Sequence, residues 1–347
     1  MNSALTSDLL HLAPEGLYCP AGDFYVDPWQ PVARAVITHA HADHLCWGCR
    51  SYLVAEESEP LARLRLSRDS TAGIVQSIPY GKPITIGDVR VSLHPAGHIL
   101  GSAQVRIEHH GRSWVVSGDY KTEPDPTCAP FELVRCEVFI TESTFGLPIF
   151  VWPSQAQVFA EINAWWQENA AQGRASVLFG YALGKAQRLL AGLDATIGPI
   201  FVHGAVESVN QAYRTLRALP PARYVGEIGD AREFRNALIL APPSANGTGW
   251  MQRFGEFSSA FASGWMQIRG ARRRRAVDRG FVISDHADWP ALVHVVRETG
   301  AERVWVTHGY NGAFARWLNE QGIAAWPIET RFQGERDDLA VEELNEG

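Results

Sequence analysis

The sequence predicts an α/β protein in which a β-rich unit is interrupted by a separate parallel α/β unit and then completed. Three observations carry this reading. Residues 14–145 are short β-type runs separated by Gly, Pro and Asp; from about Trp152 strand and helix patterns alternate; after the arginine-rich GARRRRAVDRG the β-rich pattern returns. A chain of 347 residues also has room for two cores at roughly 150 residues per domain.

The elements come in order along the chain. ARAVITHA, DVRVSLHPAGH, AQVRIEHHG, SWVVSGDY and CEVFITES are apolar runs bounded by turn residues, and several end in a chemically active group. QAQVFAEINAWWQENAAQG has helical apolar spacing and stops at Gly, ASVLFG reads as a buried strand, and KAQRLLAGL reads as a helix. PIFVHG, VESVNQAYRTLRAL and NALILAPP repeat strand, helix and strand. GFVISDHADW, the helix ALVHVVRETG and the strand ERVWVTHGY complete the first unit. The expected boundaries are 1–147, 148–276 and 277–330, with 331–347 an acidic tail.

Composition narrows the function. With 31 basic against 38 acidic residues and a net charge of −7, the whole surface is unsuited to wrapping nucleic acid, although one basic patch is allowed. No run approaches 18 apolar residues, and Met1 to Cys19 has no Lys or Arg before its short apolar stretch, so neither a membrane span nor a secretory signal is expected. Five cysteines cannot all pair within one chain, which points to a reducing cytoplasm.

The densest chemistry is Thr38-His39-Ala40-His41-Ala42-Asp43-His44, directly after the run ARAVI. Imidazoles and a carboxylate suit zinc or a similar divalent ion. Ligands on adjacent positions point in different directions and cannot easily close around one tetrahedral ion. Two ions are more natural, and they need further ligands. His98, Asp119 and His308 each follow an apolar run and supply them.

These motifs resemble the metallo-β-lactamase superfamily, whose His-X-His-X-Asp-His hallmark stands here at His39 to His44. The resemblance implies an αββα sandwich with His39, His41 and His98 on one metal, Asp43, His44 and His308 on the other, and Asp119 bridging. Thr141-Glu142-Ser143-Thr144-Phe145-Gly146 before the interruption, and Ser284-Asp285-His286-Ala287-Asp288 with His308 after it, look like the extra motifs of the β-CASP nucleases. Tyr181 to Gln187 resembles their inserted domain. YCPAGDFYVDPW, SGDYKTEPDPTCAPFE and SGWMQIRGARRRR are similar to the bacterial ligase-associated DNA exonucleases.

The expected protein is a two-metal phosphodiesterase, with Zn or Mn ions, cytoplasmic and free of membranes. Its expected substrate is DNA, single-stranded or at 5′ ends, in repair and in functional company with a DNA ligase. The resemblance implies His286 as the proton donor to the departing oxygen, Glu142 orienting it, and Asp27 holding ligand geometry. Tyr120, Ser143 and Thr144 flank ligand positions as candidate phosphate contacts. Lys185 stands where a strand gives way to a helix, and Arg269, Arg272, Arg273, Arg274, Arg275 and Arg279 form the basic cluster.

One residue pulls the other way. His308 is found in the RNA-cleaving β-CASP enzymes and is generally missing from Artemis-type DNA enzymes, so an RNA nuclease is the alternative. A small-molecule hydrolase would have no use for the insertion or His286, and a non-catalytic scaffold would have lost ligands. Cys46-X-X-Cys49 has no second pair to complete a four-sulfur zinc site. Trp165 and Trp166 read as core, and His94, His109, His110, His203 and His294 as structural.

Overall fold

The structure is a computed structural model describing residues 8–71, 73–268, 270 and 276–330. The fold is mixed α/β, and the chain divides into two compact units, one up to Ile149 and again from His286, the other Phe150–Asp285. Among the described residues no helix is long and apolar enough to cross a membrane.

The first unit holds two sheets. One runs in chain order through His11–Ala13, Gly16–Cys19, Phe24–Val26, Ala35–Val36, Ser51–Ala55 and Ile74–Ile78. The other is ordered Ala324–Pro327, Arg303–Thr307, Val138–Glu142, Arg112–Val116, Ala103–His109, Val89–Pro95 and Ile84–Ile86. Side chains alternate faces along a strand. Trp114, Val116, Val138 and Ile140 therefore pack with Val26, Val36 and Leu53 of the first sheet. Their neighbours Val115 and Phe139 turn to the opposite face. There they meet Leu292, Val295 and Val296 of the helix Trp289–Glu298 and Phe314 and Leu318 of the helix Asn311–Glu320.

Strand direction in the second sheet decides where chemistry can gather. Arg112–Val116, Val138–Glu142 and Arg303–Thr307 pair in parallel, with Val116 beside Ile140 and Glu142 beside Thr307. Val89–Pro95 and Ala103–His109 are antiparallel neighbours, so Val89–Pro95 points the same way as the other three. The residues that come after all four strands leave by one edge.

The second unit is a six-stranded all-parallel sheet, ordered Arg223–Tyr224, Ile200–Val202, Leu238–Ala241, Ala175–Phe179, Phe257–Ala262 and Arg279–Phe281. The helices Gln155–Ala171 and Lys185–Gly192 cover one face through Val158, Ile162, Trp166, Leu189 and Leu190. Short 3-10 turns cover the other face with Phe234, Met251, Phe254 and Met266. Arg279–Phe281, which the sequence assigns past the insertion, is hydrogen-bonded beside Phe257–Ala262, so this sheet extends beyond residue 276.

Candidate metal centre

The His-rich loop is held from below by Asp27. This residue sits in the left-handed region at φ +43° and accepts two hydrogen bonds from Thr38, from its N–H at 2.8 Å and its hydroxyl at 2.5 Å. Asp27 Oδ2 also lies 2.7 Å from His44 Nδ1. A carboxylate there keeps the proton on Nδ1 and turns Nε2 toward the centre. From above, Asp119 arrives on a turn in which Gly118, at φ +56°, lies against Thr38. A β-carbon at Gly118 would stand 2.6 Å from the Thr38 β-carbon. Ser102 fixes the remaining loop, its hydroxyl accepting from the N–H of His98 at 3.1 Å.

All seven expected ligands converge. His39, His41, His98 and Asp119 bring donor atoms within 4.8 Å of one another, as do Asp43, His44, Asp119 and His308. Asp119 belongs to both groups. His41 Nδ1 faces His39 Nε2 at 3.0 Å and His98 Nε2 at 3.1 Å, three imidazole nitrogens crowded into one space. Asp43 Oδ1, His44 Nε2, Asp119 Oδ1 and His308 Nδ1 are buried and make no hydrogen bond, only longer ionic contacts: His44 Nε2 at 3.4 Å from Oδ2 of Asp43 and of Asp119, and His308 Nδ1 at 3.5 Å from Asp119 Oδ1. Buried polar atoms are otherwise almost always paired, because each orphan costs about 1–3 kcal/mol. Five imidazoles and two carboxylates so arranged fit divalent cations, which would satisfy these atoms together.

The electrostatics agree. Burial, helped by the neighbouring His44, holds the His39 imidazole well below its usual range, leaving a neutral ring with a free lone pair. Burial opposes charge on His44 too, but Asp43, Asp119 and Asp27 outweigh it and raise that imidazole well above its ordinary value. Asp119 is pushed up by burial and down by His44, His286 and His308, and the second effect wins strongly. Carboxylates that hold a proton on His44 are equally placed to hold a metal cation.

Beside this cluster, His286 Nδ1 lies 3.1 and 2.9 Å from the two Glu142 oxygens, and Glu142 Oε1 also accepts the Tyr120 N–H at 2.8 Å. Both side chains are buried. The His286 ring centre is 4.7 Å from that of His98, and Asp119, Glu142 and His286 form a further close group. The Glu142 contacts fix the His286 ring through Nδ1.

The expected phosphate contacts are placed otherwise. Tyr120 is fully buried in the core beneath the helices, its hydroxyl 3.2 Å from Thr141 Oγ1, and burial pushes that phenol far up. Ser143 is also fully buried; its hydroxyl donates to the backbone oxygens of Thr307 and His308, so it shapes the His308 loop. Thr144 is buried likewise. Lys185 is enclosed within the second unit, its Nζ 3.1 Å from Asp285 Oδ1, so its charge is spent internally. Of the basic cluster, Arg279 lies over the Phe281 ring at 5.2 Å, while Arg269, Arg272, Arg273, Arg274 and Arg275 fall outside the described residues.

Two residues to which the motif reading gives no role matter here. Thr38 bridges Asp27 to the histidines, its hydroxyl 3.1 Å from His39 Nδ1 and 3.3 Å from His44 Nδ1. Ser102 is the other, through its hydroxyl on His98. A hydroxyl residue immediately before or four positions after a ligand is a weak signal for both. Replacing Asp27 by Ala is expected to weaken metal binding roughly 10- to 100-fold, the usual loss on removing a ligand's orienting partner. Competition against a chelating dye measures it, and unchanged affinity would remove Asp27 from the account.

No family model matches the chain. Over 317 residues it is 34% identical to a probable DNA ligase of Opitutus terrae, covering 90% of this chain and 30% of that protein. It is 31% identical over 170 residues to endoribonuclease ysh1 of Aspergillus fumigatus, covering 46% of this chain and 19% of the other. It is 30% identical over 147 residues to transcription termination factor FttA of Methanothermobacter thermautotrophicus, covering 39% and 23%. The chain thus spans less than a third of the length of these relatives. A crystal structure of a protein of unknown function from Enterococcus faecalis shares the fold at a TM-score of 0.58 and 11% identity, covering 86% of this chain and 79% of that one.

Proposed function

Because the chain belongs to the β-CASP nucleases of the metallo-β-lactamase superfamily, we propose that it is a metal-dependent DNA exonuclease acting on single strands from a 5′ end. We assign the first unit to the superfamily's αββα sandwich and Phe150–Asp285 to the β-CASP insertion. The observation that carries the reading is the set of buried, unhydrogen-bonded donor atoms on Asp43, His44, Asp119 and His308, beside three crowded imidazoles.

His39, His41 and His98 would hold one divalent cation and Asp43, His44 and His308 a second, with Asp119 shared. Zinc and manganese both accept these ligands. Bound there, such ions supply an activated water and neutralise charge growing on the phosphate. The chain's own residues do the rest. His286, protonated, gives its proton to the departing oxygen, and Glu142 holds the ring by Nδ1 so that the opposite nitrogen faces the scissile bond. Asp27 and Thr38 keep His44 in the tautomer that binds through Nε2.

DNA is favoured because the match that runs along nine-tenths of this chain is to a probable DNA ligase, a link that also suits work beside ligation in repair. RNA is the second reading, favoured by His308 and by the relatives named as endoribonucleases. Matched DNA and RNA oligomers labelled at one end separate the two. A 5′ label on DNA is expected to leave at once in short products, while a 3′-labelled strand shortens gradually. Loss of RNA with DNA intact would overturn the assignment.

A further inference from the structure

Two residues past His44 the chain places a cysteine pair that the nuclease reading does not use. Cys46, Trp47, Gly48 and Cys49 form a tight turn, with Gly48 at φ +81°, a conformation open to glycine at the third position of a type II turn. The turn is pinned from outside by Asp69, which accepts the Gly48 N–H at 2.7 Å. It is pinned from inside by Tyr52, whose hydroxyl donates to the Cys46 carbonyl at 2.9 Å and accepts the Cys49 N–H at 2.9 Å. Cys49 Sγ lies 3.9 Å from the Cys46 carbonyl oxygen. A four-residue turn brings its ends within about 7 Å, the α-carbon range a disulfide needs.

We infer that Cys46 and Cys49 are a redox-active dithiol, a modification site that closes reversibly into a disulfide directly behind the metal-binding loop. Cys46 is partly exposed and Cys49 fully buried, which separates the roles. An incoming small-molecule disulfide meets the more exposed Cys46, whose sulfur gives up its proton, displaces one thiol and forms a mixed disulfide. The Cys49 thiolate then attacks Cys46 Sγ and releases the second thiol. The protein loses two protons and two electrons, and the reagent gains them as two thiols. The other three cysteines are buried, and burial raises the thiols of Cys19 and Cys136.

The test uses the folded, metal-loaded chain in buffers of oxidised and reduced glutathione, quenched with an alkylating agent. Trypsin releases residues 35–50 as one peptide that contains Cys46 and Cys49 and no other cysteine. The expected result is a peptide two mass units lighter and unalkylated, loss of two titratable thiols per chain, and full recovery with dithiothreitol. Cys49→Ser is expected to stop at the glutathione adduct on Cys46, while Cys46→Ser stays reduced. A pair that remains doubly alkylated in fully oxidised glutathione overturns the inference. So does a wild-type chain that stops at the mixed disulfide, or thiols that react only after a chelator strips bound metal.

Discussion

Asp119→Ala is expected to abolish both activity and metal binding, because one carboxylate belongs to both groups of converging donors. Removing an outer partner such as Asp27 weakens a site by roughly 10- to 100-fold. Removing Asp119 takes a donor from each group at once, so the loss should exceed that range. The decisive measurement is thermal melting with and without Zn²⁺ or Mn²⁺. A ligand at 100 times its dissociation constant stabilises the native state by about 2.7 kcal/mol. The parent chain should show that rise in melting temperature and the variant should not, while both melt cooperatively without metal. A variant that still gains stability from metal would show that Asp119 is not shared.

His286→Ala is expected to keep its metal and its metal-dependent rise in melting temperature while cleavage slows about 10²- to 10⁴-fold, the usual contribution of a positioned general acid. The physical reason is that the departing alkoxide of a nucleotide is a poor leaving group unless protonated. An aryl phosphodiester such as bis(p-nitrophenyl) phosphate departs as a stable phenolate and needs no donor. The variant's deficit should therefore nearly vanish on that substrate while persisting on DNA. Equal slowing on both would assign His286 to binding or folding, and the Glu142 contact would then be a structural pair.

Much of this cluster is legible in the sequence because its candidate ligands are local. Four of them occupy six positions on one loop, and the other three stand just past apolar runs, which become strands leaving by one edge of a sheet. The phosphate contacts are not legible for the opposite reason. Tyr120, Ser143 and Lys185 look available by their chemistry, and only tertiary packing reveals that each is enclosed. Helix Asn311–Glu320 is equally hard to read. Its apolar face is Phe314, Ala315 and Leu318 with the partly buried Trp317, and it owes its existence to docking on the second sheet.

The separation between Glu142 and His286 also bears on biogenesis. Their side chains meet across 144 positions, and Ser143 reaches His308 across 165. A ribosome must translate the entire interrupting segment before His286 or His308 exists, so on the proposed reading a nascent chain lacks both its proton donor and its last imidazole until then. Such distant pairings also form slowly, since a long loop must close before any contact rewards it. A truncated product ending inside the second unit would carry the His39-to-His44 loop without His286 or His308.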